Sequence, residues 1–245
     1  MRRGLLLVGH GSHLNPNSSA PVYQHAERIR QCRIFDSVRT AFWKEEPALA
    51  RAFDGWDAED VTVVPVFIAT GYFTEQVIPR ELGLCGRVSR VDGRLVRYTG
   101  AIGAHPRLAD VIVERAREAG AGPETAVAVL GHGTPRNPNS ERNIYLQAER
   151  VARRGLFRDV VTVFLDQEPN MRDVLRFTNA ATVVIVPLFV ADGWHVDETI
   201  PEELELEGPD TVRDGRRIRY AGAVGTHPSL AEVILHAAEE AAGWA

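Results

Sequence analysis

Leu5-Leu6-Leu7-Val8-Gly9-His10-Gly11-Ser12 is a short, continuous apolar run that stops at a glycine and opens into a polar turn carrying one histidine. A run too short for a helix and apolar at every successive position has the pattern of a strand buried on both faces of a parallel sheet. The passage returns as Val127-Ala128-Val129-Leu130-Gly131-His132-Gly133-Thr134, with His132 standing 122 positions after His10. The same offset carries Asn15-Pro16-Asn17-Ser18 onto Asn137-Pro138-Asn139-Ser140 and Glu46-Pro47 onto Glu168-Pro169. It also carries Ile78-Pro79 onto Ile200-Pro201, and Gly103-x-His105-Pro106 onto Gly225-x-His227-Pro228. A fixed period of this length marks an internal duplication, and it divides the 245 residues into halves 1–121 and 122–245. Gly120-Ala121-Gly122-Pro123, small and rich in breakers, is the linker between them.

Working outward from the first strand, a helix is expected from Ser18 to about Arg30, with Val22, Ala26 and Ile29 on one stripe. Strands follow at 37–43, 61–67 and 94–98, and a closing helix at 106–119. Between the first two of these strands, Glu46-Pro47 reads as a helix start with proline in its permissive first turn. The second half repeats the plan, with strands at 127–130, 159–165, 182–188 and 217–220 and helices after Ser140, Pro169 and Pro228. Alternating strands and helices with buried strands predict an α/β fold of two tandem, homologous, doubly wound parallel-sheet domains.

The balance of 28 basic against 33 acidic residues, with no basic run, argues against a nucleic-acid partner. No stretch approaches the ~18 apolar residues of a membrane span. The start resembles a secretory leader only superficially, because its apolar run breaks at Gly9. Cys32 and Cys85 have no counterparts in the second half and no metal-type spacing, which fits thiols in a reducing cytoplasm. A soluble cytoplasmic protein, monomer or homodimer, is the expectation.

In open α/β sheets the working site lies beyond the carboxyl ends of the strands, which is where His10 and His132 fall. After the third strand of each half the copies disagree. Phe189-Val190-Ala191-Asp192-Gly193-Trp194-His195-Val196-Asp197-Glu198 faces Phe67-Ile68-Ala69-Thr70-Gly71-Tyr72-Phe73-Thr74-Glu75-Gln76, so His195 has Phe73 as its mate, Asp192 has Thr70 and Glu198 has Gln76. Two imidazoles at adjacent strand ends can share a divalent ion or accept protons near neutral pH. The plainer alternative is a pair of loop histidines, one of them copied with the duplication. His105 and His227 read as helix-start or interdomain residues, and Trp194 is the one tryptophan placed to line a pocket.

Taken together, Leu5–Ser12, the Pro-Leu-Phe-(x)3-Gly-x-His-(x)4-Ile-Pro stretch at Pro187–Pro201, and Gly-x-His-Pro-x-Leu-Ala at Gly103–Ala109 and Gly225–Ala231 resemble the class II chelatases of the CbiX type. The resemblance spans nearly the whole chain. It implies a chelatase-like fold of two similar domains facing a central cleft. It also implies insertion of a divalent metal into sirohydrochlorin on the route to cobalamin or sirohaem, with no nucleotide and no prosthetic group. Co²⁺ is the metal favoured, with Fe²⁺ or Ni²⁺ as alternatives. The family's first histidine falls on His10 and His132 and its second on His195 alone, so the complete pair is C-terminal. That arrangement is more like the anaerobic cobaltochelatases and the ferrochelatases of haem synthesis.

In this reading His132, His195 and Glu198 handle the metal and His10 is a further catalytic candidate. Asp197 and Glu198 relay protons or draw cations in, and Asp192 orients His195. Phe73, Tyr72 and Trp194 press on the ring, while Ser12, Thr134 and Arg136 receive substrate carboxylates. The competing readings are a non-catalytic tetrapyrrole or metal carrier, and a histidine phosphatase, which would need an Arg-His-Gly phosphate motif that is not present.

Overall fold

The computed structural model describes residues 1–13, 16–134 and 139–244. Each half builds one five-stranded sheet. In the first, β1 (Arg3–Gly9), β2 (Ser37–Phe42), β3 (Asp60–Pro65), β4 (Val88–Val91) and β5 (Arg94–Tyr98) lie in the order β2-β1-β3-β5-β4. β1 runs parallel to β2 and β3, with Leu6 opposite Arg39 and Val63, and β5 runs parallel to β3. In the second, β6 (Ala126–Gly131), β7 (Asp159–Phe164), β8 (Thr182–Pro187), β9 (Asp210–Arg213) and β10 (Arg216–Tyr220) repeat the order as β7-β6-β8-β10-β9.

Successive side chains of a strand point to opposite faces, so a run such as Leu5 to Val8 must be covered twice. All four side chains are fully buried. One face of the first sheet packs Leu6 and Val8 against Leu49, Trp56, Ile78 and Leu82. The other face takes the helices α1 (Ala20–Cys32) and α6 (Leu230–Ala242). On the second sheet, α3 (Leu108–Glu118) and α4 (Asn139–Ala152) occupy the corresponding positions.

Two expectations need correction. The sheets are mixed rather than wholly parallel, because β4 and β9 pair antiparallel with β5 and β10. Asp92-Gly93 and Asp214-Gly215, all four with positive φ, make the tight hairpin turns. The helices expected from Pro47 and Pro169 are short 3₁₀ stretches, at Leu49–Arg51 and Met171–Arg176. The Pro47 carbonyl accepts the Phe42 N–H at 2.9 Å and Ala48 bridges Phe42, so the chain stays extended beside β2 where a helix would have begun.

The compact units are also drawn differently from the repeat. One comprises residues 1–105 and 228–245, the other residues 106–227. Each half therefore gives its last helix to the other unit, and the chain crosses at His105-Pro106 and His227-Pro228. Within the second unit His227 stands between two carboxylates of α3, 3.6 Å from Glu114 and 3.1 Å from Glu118. Within the first, His105 lies 3.5 Å from Glu240 of α6. Among the described residues no helix is long and apolar enough to cross a membrane.

Candidate active site

The order β7-β6-β8 places the chain's direction switch between β6 and β8, the crevice where ligands of open α/β sheets bind. His132 follows β6 directly. Gly133 after it adopts φ +70°, and a Cβ there would also lie 2.6 Å from Gln167, so the turn requires glycine. Gln167 Oε1 accepts the Thr134 N–H at 2.8 Å, and in the first half Glu45 accepts the Ser12 N–H at 2.9 Å. The backbone donors of Ser12 and Thr134 are thus engaged within the protein. Arg136, expected to receive a carboxylate, lies outside the described residues.

His132 Nδ1 lies 2.8 Å from the Gly133 carbonyl. A carbonyl only accepts, so this nitrogen carries the proton and Nε2 keeps its lone pair for a metal or a proton. Asp166, just beyond β7, brings Oδ2 to 3.4 Å from the same Nδ1.

His195 begins a π-helical turn, His195–Thr199, in which the Ile200 N–H reaches back to the His195 carbonyl. Such turns are uncommon and concentrate at functional sites. Two supports hold it. Tyr220, whose hydroxyl burial and then the charges of Asp192 and Asp197 keep protonated, donates to the Val196 carbonyl at 3.0 Å. Gly225 lets the preceding loop pass so closely that a Cβ would meet the Val190 carbonyl oxygen at 2.0 Å. The result is an edge-on pair of imidazoles, His132 and His195, with centroids 5.1 Å apart and planes at 88°. Phe189 stands 6.2 Å from His132.

Trp194, Asp197 and Glu198 are exposed on the same turn. Desolvation and then the Asp192 charge push the Asp197 carboxyl above its ordinary value. Asp192, expected to orient His195, accepts the Ala223 N–H at 3.0 Å. Among the described residues no three His, Cys, Asp or Glu side chains converge as a metal cage, so Glu198 is not gathered with the histidines into a third-ligand position.

The first half keeps the scaffold and changes the lining. His10 Nδ1 lies 2.9 Å from the Gly11 carbonyl, repeating the His132 geometry. Phe73 starts the equivalent π turn and packs 5.6 Å from His10, 5.2 Å from Phe67 and 5.7 Å from Trp43. Asp166 is the site residue that the sequence reading missed. Its signal was present, because the mate of Asp166 at the 122-residue offset is Lys44, two positions before the repeated Glu-Pro pair.

The CbiX family model matches the chain twice, over residues 4–119 and 126–241. A probable sirohydrochlorin cobaltochelatase of Halobacterium salinarum is 42% identical over 268 residues, covering 98% of this chain and 91% of that protein. A sirohydrochlorin cobaltochelatase of Methanosarcina barkeri is 36% identical over 126 residues, 47% of this chain but 95% of its own length. Among solved structures, a multi-domain Deinococcus radiodurans protein described as similar to chelatases, with two additional domains, superposes at TM-score 0.85 and 32% identity. The match covers 97% of this chain and 54% of that one, so this chain spans about half its length. The two matches together cover most of the chain, and the chain belongs to the CbiX family.

Proposed function

We propose that this chain is a sirohydrochlorin cobaltochelatase: it inserts Co²⁺ into sirohydrochlorin and releases the two pyrrole N–H protons. The observation that carries the reading is the His132–His195 pair at 5.1 Å, with Asp166 beside His132, at the switch point of the second sheet. Imidazole suits borderline first-row divalent ions, and an adjacent carboxylate adds charge attraction for the incoming cation. Insertion takes in M²⁺ and gives out 2 H⁺, so the site must exchange cations with bulk water, and both histidines are exposed enough to do so. His132 Nε2 and the His195 ring bind the metal and accept the displaced protons in turn. Asp166 fixes the His132 ring and stabilises its imidazolium.

Asp197 and Glu198 supply carboxylates where the cation enters, and Trp194 on the same turn supplies ring-facing surface. A cytoplasmic setting accords with Cys32 and Cys85, both exposed free thiols. The test is to incubate the purified protein with sirohydrochlorin and Co²⁺, Fe²⁺ or Ni²⁺ separately and follow the change in absorption. Accelerated insertion of Co²⁺ is expected. Tight metal binding with no acceleration would favour a carrier, and faster Fe²⁺ insertion would make it a ferrochelatase.

A further inference from the structure

Arg97 and Arg219 stand at the same register of the two sheets, Arg97 opposite Thr62 on β3 and Arg219 opposite Val184 on β8. Each reaches the chain just past the helix exchanged between the halves, α6 in the first unit and α3 in the second. Arg97 Nε donates to the Trp244 carbonyl at 3.2 Å, and Arg219 Nη1 to the Gly120 carbonyl at 3.0 Å. In the first unit the half-buried Trp244 ring covers this place, with the Arg87 guanidinium 4.6 Å from its centroid. The second unit supplies no ring there. Ala119-Gly120-Ala121-Gly122 follows α3, and Pro209 is the mate of Arg87. What remains is a cavity of about 560 Å³, within the range of small-molecule sites, whose lining includes Arg115, Glu118, Pro209, Asp210, Arg219 and Gly222. The whole lining lies within residues 106–227, inside one compact unit.

The charges around the cavity do not cancel. Asp210 accepts from Arg217 at 3.1 Å and from Arg219 at 3.3 Å, while Glu118 accepts from Arg115 at 3.1 Å and faces His227 at 3.1 Å. Three guanidiniums therefore stand against two carboxylates that they already neutralise. Arg219 spends Nε on Asp210 and Nη1 on the Ala119 and Gly120 carbonyls, and its Nη2 donates to no atom of the described residues. Arg115 is fixed by the Ala223 carbonyl and Thr226, and a Cβ on Gly222 would lie 3.5 Å from its Cζ. A held guanidinium with an unspent N–H edge is a receptor for a carboxylate.

We propose that this cavity of the second unit binds a small aromatic carboxylate, with the carboxylate on Arg219 Nη2 and the ring in the place that Trp244 takes in the first unit. Neither histidine of the pair lines it, and the proposal requires no metal and no tetrapyrrole. Indole-3-acetate carries both features and serves as the probe, with indole and acetate as its separated parts. Calorimetric titration of the full chain should give one molecule bound with a Kd of about 0.3 mM, and at least about tenfold weaker binding of either part. Arg219→Met should raise the Kd about tenfold. Gly222→Leu fills the cavity from a position where a Cβ makes only ordinary contact, so it should abolish binding with the melting temperature kept. That second variant decides the matter if Arg219→Met does not fold.

Equal Kd values in wild type and Gly222→Leu would place the probe elsewhere and overturn the site. So would the absence of binding by the wild type at about ten times the expected Kd. Acetate binding as tightly as indole-3-acetate would overturn the part given to the ring, and indole binding as tightly would overturn the part given to Arg219.

Discussion

Gly225→Ala reaches the paired histidines without touching either. A Cβ on residue 225 would lie 2.0 Å from the Val190 carbonyl oxygen and 2.3 Å from its carbonyl carbon and Cα. Backbone atoms cannot rotate aside as a side chain does, so the segment must move by about 1.4 Å to reach ordinary contact. That shift breaks the 2.8 Å bond from the Gly225 N–H to the Phe189 carbonyl. Overpacking costs about 2 kcal/mol and the lost bond about 1 kcal/mol, together lowering the melting temperature by about 12 °C for a unit of this size. His195 lies five residues past Val190 on the displaced segment. Misplacing a catalytic group by about 1 Å costs about 10²-fold in rate.

Thermal melts and absorbance-monitored Co²⁺ insertion read the two effects separately. Gly122→Ala, whose Cβ would enter open space, is the control. The mate Gly103→Ala, whose Cβ would lie 1.9 Å from the Ile68 carbonyl oxygen, should lose as much stability and less rate, because its loop leads to Phe73 rather than a histidine. Wild-type melting and wild-type insertion by the Gly225 variant would show that the close approach of residue 225 to Val190 does not hold the histidine turn in place.

Asp166→Asn should lower the insertion rate about 10- to 100-fold with little change in melting, since an exposed pair contributes little to stability and its carboxylate acts through His132; kcat and a melt check this. Tyr220→Phe removes the hydroxyl bond to the buried Val196 carbonyl, which should cost about 1 kcal/mol in urea unfolding and loosen the turn carrying His195. Proteolytic cleavage within residues 120–123 should leave a nicked protein that elutes as one species, because each compact unit then contains helix from the other fragment. Burial alone would raise the Glu118 carboxyl, but the bonds and charges of His227 and Arg115 outweigh it and hold the group below its usual value. Its contribution is therefore complete above the unfolded carboxylate value and is lost as pH falls through the folded one. The difference in urea midpoint between wild type and Glu118→Gln should be present at neutral pH and vanish in acid.

The repeat and the central strands were legible because buried parallel strands write themselves as unbroken β-branched and leucine runs, as at Leu5–Val8 and Val183–Val186. β4 was hidden by Ser89 and Arg90, although the Asp92-Gly93 turn that pairs it with β5 was in plain view. Glu46-Pro47 has the local chemistry of a helix start, yet pairing of the Pro47 carbonyl with Phe42 outweighed that propensity. The exchange of α3 and α6 was not readable at all, since an apolar stripe on a helix says that it packs but not on which sheet. In the site, His132 and His195 were visible because glycines and a difference between halves frame them. Asp166 was not, because a carboxylate beside an imidazole is a three-dimensional fact.

In this reading the second half alone carries the metal-inserting pair. Co²⁺ insertion into sirohydrochlorin by His132→Ala, His195→Ala and His10→Ala, each checked for folding, tests it most directly. Losses of about 10³-fold or more are expected for the first two, where a metal ligand and proton acceptor is removed, and about threefold at most for His10→Ala. Full activity in either second-half variant, or abolition by His10→Ala, would contradict it.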